Sequence, residues 1–290
     1  MRPTAPSRRQ GHWDQRAAGN FIGGGTGAGL IVTAALAAVA GAPFRLPLAL
    51  GLGFVAAGLT LVWFEIGKPW RALNVFFHPQ TSWMTREGIL ACGLLPVGVL
   101  AVAAGNVAAA ALAGILAAGF AVCQARMLRA AQGIPAWRRS EIVPFVLGTA
   151  LAEGSGLSLA AGAHTAPWLA LALASGLARE ATWQVYAAGL ARQPAAARSV
   201  AAFASSRARL ARAGMRAGCV LMAGALAIAL GGGLPATAGA VSVLAWIGGA
   251  LAALAGWDIK ALLIIRAAFT RAVAIPVVPT RGGGGSHVRP

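Results

Sequence analysis

Acidic residues are scarce in this chain: seven Asp and Glu stand against 24 Lys and Arg in 290 residues, a formal net charge of +17. Charged residues of either sign make up only 11% of the sequence and hydrophobic ones 58%, with a mean hydropathy of +0.71. That balance excludes an ordinary soluble domain. Cysteine is equally sparse. Cys92, Cys123 and Cys219 lie singly within apolar stretches and form no C-x-x-C, so this chain holds no iron–sulfur cluster by itself. The four histidines, His12, His78, His164 and His287, fall in tails and links rather than on facing spans, which excludes a bis-histidine haem in the bilayer.

What is abundant is apolar length. Stretches at about residues 21–41, 47–66, 87–104, 107–124, 142–162, 167–190, 213–231 and 239–262 each match the hydrocarbon thickness at the rise of a helix. Read as eight spans, they put 22 of the 24 Lys and Arg residues on one side, leaving Arg45 opposite and Arg179 inside a helix. The positive-inside bias then assigns both tails to the cytoplasm. The same short-loop placement argues against nucleic acid as partner, because such charges serve orientation and anionic headgroups. The expectation is an all-α, multi-pass protein of the bacterial inner membrane, its eight transmembrane helices in two four-helix bundles. In this division 1–20 is a cytoplasmic tail, 21–124 the first bundle with a loop at 65–87, 125–141 a cytoplasmic loop, 142–265 the second bundle and 266–290 a second tail. Ser7-Arg8-Arg9 opens like a twin-arginine signal, but no apolar pair follows; these arginines serve instead to hold the first span's start inside. Gly282–Ser286 reads as a flexible linker or an appended remnant.

The run Gly23-Gly24-Gly25-Thr26-Gly27-Ala28-Gly29 has the look of a dinucleotide fingerprint. No strand precedes it and it continues as a membrane helix, so close helix packing is the better account.

The link between the second and third spans is the most informative. It begins at Trp63-Phe64-Glu65, passes Lys68, Pro69, Trp70, Arg71, Phe76, Phe77 and His78, and ends at Trp83-Met84-Thr85-Arg86-Glu87. Its aromatic residues suit a short amphipathic segment folded back along the membrane, broken by Pro69 and Pro79. Thr85 is placed to cap the third span, with Glu87 then opposing the positive end of that helix. Two accounts fit these residues. In one, Glu87 satisfies a helix start, Trp63 and Trp83 are interface anchors, and Lys68 and Arg86 set orientation. In the other, Glu65 and Glu87, with Trp63, Lys68, Trp70, His78, Trp83 and Arg86, form an aromatic-walled interfacial pocket. A quinone head group needs such apolar walls, donors for its carbonyls, and a group that exchanges protons.

The strings Glu65-Ile66-Gly67-Lys68-Pro69-Trp70-Arg71-Ala72 and Thr81-Ser82-Trp83-Met84-Thr85-Arg86-Glu87 resemble the signature of the dimethyl sulfoxide reductase membrane anchor subunits, which belong to the complex iron–sulfur molybdoenzymes and have eight helices. Within that family the chain is most similar to the anchor of phenylacetyl-CoA:acceptor oxidoreductase, through His12-Trp13-Asp14-Gln15-Arg16-Ala17-Ala18-Gly19-Asn20-Phe21, Trp257-Asp258-Ile259-Lys260 and Arg266-Ala267-Ala268-Phe269. The resemblance implies a haem-free, quinone-reactive anchor, using ubiquinone or menaquinone. Its implied partners are a four-cluster iron–sulfur subunit and a molybdopterin catalytic subunit on the cytoplasmic side. Glu87 would be the acidic residue at the quinone; Glu65 stands where many relatives have histidine.

Further ionisable residues lie deeper. Glu153 falls in the fifth span, Arg179 and Glu180 in the sixth, and Asp258 and Lys260 near the end of the eighth. A charge at such depth costs about 2.5–3.5 kcal/mol unless paired, and the expected pair is Glu153 with Arg179. This set reads either as structural glue or as a proton route through Glu180, Asp258 and Lys260. It also sustains two rival functions, a small secondary transporter and a proton-translocating subunit of the polysulfide-reductase type.

Overall fold

A computed structural model describes residues 4–65, 69–231 and 237–274. Lys68 and the Gly282–Ser286 tail lie outside the described residues, as do the side chains of Glu65 and Trp70.

The chain is an all-α, multi-pass membrane protein. Helix α1 (Gln15–Val39) begins where the Asp14 carboxylate accepts the Arg16 backbone N–H at 2.7 Å. That cap starts α1 six residues ahead of the apolar stretch. The Arg16 guanidinium beside Asp14 also holds its carboxyl below the usual carboxylate range. Helix α2 (Arg45–Glu65) returns, and a 3₁₀ segment (Pro69–Phe77) leads to α3 (Trp83–Ala104) and α4 (Val107–Ala130). A short α5 (Pro135–Arg138) precedes α6 (Ile142–Ala160) and α7 (Ala166–Ala191). After α8 (Ala197–Phe203) come α9 (Ser206–Leu230) and α10 (Ala238–Ala261), the last running on as a π-helical turn to Arg266. Among the described residues, seven helices are long and apolar enough to cross a membrane: α1, α2, α3, α4, α6, α9 and α10. Helix α7 has the length, but Arg179 and Glu180 interrupt its apolar run.

Helices α1 to α4 close a ring in which α1 packs on α2 and α4, and α3 on both. Helices α6, α7, α9 and α10 close a second ring, and α1 joins the two by packing against α6 and α10. Small residues allow that junction. A side chain at Gly154 would strike the backbone of Gly29 and Leu30 at the junction, and within the second ring one at Gly249 would strike that of Gly156. With no methyl groups between them, the helix backbones touch and gain dispersion contact that lipid cannot match.

The two ends of the rings differ. At one end the links are short, and α1 and α6 stop at Gly41 (φ +73°) and Gly162 (φ +103°), left-handed positions that only glycine takes without strain. At the other end the longer links and the helix ends beside them share an aromatic cluster. Phe145 stacks on Tyr186 at 5.3 Å, Trp183 meets Phe203 edge-on at 5.1 Å, and Trp13 lies 4.8 Å from Trp137. The polar tips are satisfied by carbonyls: Tyr186 Oη donates to Ala136 O at 3.0 Å and Trp137 Nε1 to Leu263 O at 3.0 Å. The first and last described segments meet here too, where Thr4–Ala5 pairs antiparallel with Val273–Ala274.

Candidate functional site

The link between α2 and α3 is tied down from within. Arg86 Nε donates to Pro79 O at 2.7 Å and its terminal nitrogen to Gln80 O at 2.8 Å. The Thr85 hydroxyl donates to Val75 O. Gly88 lets the Phe76 ring close on α3, since a Cβ there would stand 3.3 Å from Phe76 Cε1. The cap of α3 is Ser82, accepting the Thr85 N–H at 3.2 Å, rather than Thr85 itself. Helix α3 therefore begins earlier than the apolar run. Glu87 sits a full turn inside it, buried, and not at the helix's positive end.

This folding encloses a cavity of about 420 Å³. Trp63, Leu73, Phe76 and Met84 form its mouth, Leu59 and Leu95 its walls, and Glu87 and Asn20 its polar corner. Pro96 also lines it. Lacking an N–H, Pro96 leaves the Cys92 carbonyl one turn back without its helix partner, and Cys92 lines the same wall. The side-chain amides of Gln124 and Asn20 face the Glu87 carboxylate, and Gln124 Nε2 donates to Asn20 O at 3.3 Å. Glu87 Oε1 and Asn20 Oδ1 have no hydrogen-bond partner. Two acceptors thus border an otherwise apolar space, ready for an occupant that brings its own donor or proton.

The expected site residues divide. Glu87 and Trp63 line the cavity. His78, Trp83 and Arg86 do not. His78 is exposed and uses its carbonyl to accept the Thr81 and Ser82 N–H groups of the turn. Trp83 lies between two guanidiniums, 4.2 Å from Arg86 and 5.5 Å from Arg126, so Arg86 and Trp83 brace the link. Lys68 and the side chains of Glu65 and Trp70 fall outside the described residues. Asn20 and Gln124 are site residues that the sequence reading missed. Each is a neutral amide inside an apolar span, where a polar side chain needs a partner, and that rarity was a usable signal.

The deep ionisable residues form three groups rather than one. Glu153 pairs with Lys260, not with Arg179: Lys260 Nζ lies 2.6 Å from Glu153 Oε2. Thr26 Oγ1 donates to the same oxygen at 2.6 Å, and Trp257 Nε1 to Thr26 Oγ1 at 2.9 Å. Gly25 makes this possible, because any side chain there would occupy the place of the Lys260 ammonium. Arg179 instead pairs with its neighbour Glu180 at 3.1 Å, lies 5.7 Å over the Phe145 ring, and shares Glu180 with Arg216 at 2.8 Å. Asp258 turns outward to Arg207, 3.1 Å from its Nε. The pairing expected from the short link between α6 and α7 fails because α10 and α1 present their polar groups to Glu153 from the other side. Among the described residues no three His, Cys, Asp or Glu side chains are grouped to hold a metal ion.

No family model matches this sequence, and no curated protein matches it.

Proposed function

We propose that this protein is the quinone-reactive membrane anchor of a molybdopterin and iron–sulfur oxidoreductase, of the dimethyl sulfoxide reductase anchor type. In this reading it crosses the bacterial inner membrane eight times, with α7 as the eighth span and both termini cytoplasmic. A four-cluster iron–sulfur subunit and a molybdopterin catalytic subunit dock on the basic cytoplasmic end, and electrons pass to or from ubiquinone or menaquinone without a haem, as in anaerobic respiration. One observation carries the reading: a cavity of about 420 Å³ whose apolar walls converge on the buried Glu87, with Oε1 unpartnered. The volume and lining fit a quinone head and the start of its tail. A bound quinone supplies two-electron, two-proton chemistry. The chain's own residues do the rest: Trp63, Phe76 and Leu95 orient the ring and exclude water, while Glu87 holds or yields a proton at the carbonyl, steadied by the amides of Gln124 and Asn20.

The test is exchange of a radiolabelled short-chain ubiquinone on the purified chain in lipid nanodiscs. Glu87→Gln removes the proton-exchanging carboxyl and lowers affinity roughly tenfold or more, the value of a hydrogen bond lost at a buried group. Saturable binding that Glu87→Gln leaves unchanged overturns the site. Co-purification of two soluble chains bearing iron and molybdenum tests the assembly.

The buried Glu153–Lys260 pair favours one further reading, a proton-translocating subunit of the polysulfide-reductase type. A transporter gains no such support, since the deep charges divide into separate groups. Proteoliposomes driven by quinone turnover separate the two, because translocation acidifies or alkalises the lumen beyond the protons of the quinone itself.

A further inference from the structure

At the end opposite the Glu87 cavity lies a second and larger hollow, of about 760 Å³. It opens between the α1–α2 link and the α6–α7 link, at the seam of the two rings. Its inner wall includes Ala34 and Ala37 of α1 and the hydroxyls of Thr33 and Ser158. Both hydroxyls are already engaged: Thr33 Oγ1 donates to Gly29 O at 2.9 Å and Ser158 Oγ to Ser155 O at 2.6 Å. The depth of the hollow is therefore apolar in effect.

Its rim has the opposite character. Arg45, the first residue of α2, lays its guanidinium beside Gly105 of the α3–α4 link; among the described residues it meets no carboxylate and no hydrogen-bond acceptor. Thr165 precedes α7 without capping it, and Trp168 sits in the first turn of α7 with its indole N–H unpartnered among the described residues. Donors without acceptors thus gather at helix-end depth, and the N-terminal ends of α2 and α7 add partial positive charge to them. No acidic residue lines the hollow. Thr33 lies six residues before the end of α1, so the hollow reaches about 9 Å inward at the rise of a helix.

A space with one charged and one neutral donor at headgroup level and a dry interior is shaped for an anionic amphiphile. We propose that this hollow holds one anionic phospholipid, its phosphate against Arg45 and the start of α7, with the first part of an acyl chain in the apolar depth between the α1–α2 and α6–α7 links. Arg45 is then a lipid-binding residue at an end of the molecule otherwise poor in charge. The inference stands apart from the quinone reading and uses none of its residues.

Native mass spectrometry of the whole chain, released from nanodiscs of equal phosphatidylglycerol and phosphatidylcholine, tests it. The wild type retains one phosphatidylglycerol in preference to phosphatidylcholine. Arg45→Gln, a change at an exposed and unpaired side chain, lowers that retention roughly fivefold, as expected for one cation at a lipid surface, and Arg45→Lys restores most of it. Ala161→Phe, which fills the hollow and leaves the charge, abolishes retention of both lipids. Equal retention of the two lipids by the wild type overturns the proposal, as does unchanged retention in Arg45→Gln. Displacement of the lipid by ubiquinone makes the hollow a quinone site and overturns it equally.

Discussion

Glu87 and Glu153 are both buried carboxylates on helices of the membrane interior, the first on α3 and the second on α6. Their company differs. Glu87 has neutral amides beside it and an apolar cavity before it; Glu153 has an ammonium, a hydroxyl and the wall of a closely packed junction. A carboxylate paired with a buried cation resists the loss of either partner, because removing one strands the other. One bordered by neutral groups and an open space answers to whatever enters that space. The two are separated by little more than Gly25, since the Lys260 ammonium and the Gln124 amide oxygen, the latter at 3.6 Å, border the position its Cβ would take.

The sharpest way to break the contrast is Glu153→Leu. It leaves Lys260 buried and unpaired, and stability should fall by about 3–5 kcal/mol. Glu153→Leu with Lys260→Met should recover most of that loss, both read as thermal unfolding in detergent. If the double variant is no milder, the pair is not a unit. Next in size is Gly154→Val, whose side chain would meet the α1 backbone; prising the rings apart costs about 1–3 kcal/mol, seen as a lowered unfolding midpoint. Glu87→Leu sharpens the comparison from the other side. With no buried cation left behind, stability should change by less than about 1 kcal/mol while quinone exchange is lost.

The smallest effect belongs to a third carboxylate, outside the membrane spans. Arg139 beside Glu141 holds the Glu141 carboxyl below the usual carboxylate range. A lowered folded-state value means the pair's contribution is present above the unfolded value and is lost as pH falls through the folded one. Acid titration of stability should therefore show a step of under about 1 kcal/mol that Arg139→Gln removes.

Long apolar runs and the glycine string made the helices and their close packing legible in the sequence. The seam Gly23–Gly29 indeed meets α2, α4, α6 and α10. Glu87 and Trp63 were legible as companions because one short link carries both. Lys260 as partner of Glu153 was not. The two residues are 107 apart in sequence, and their meeting depends on which face α10 turns toward α6. For the same reason His78 and Arg86, adjacent in sequence to the cavity, were drawn into it, whereas Asn20 and Gln124 reach it from distant helices. Neighbourhood along the chain predicts depth in the membrane, but the rotation of each helix about its axis decides which side chains meet.

Helix α1 is a stave common to both rings, buried along most of its length. It also leaves the ribosome before α10, which covers one of its flanks. During biogenesis its glycine-lined flank must therefore wait in lipid until α10 has been inserted. Assembly of the two rings is then a single closing event, and a chain that terminates early exposes its most adhesive surface to the quality-control proteases of the membrane.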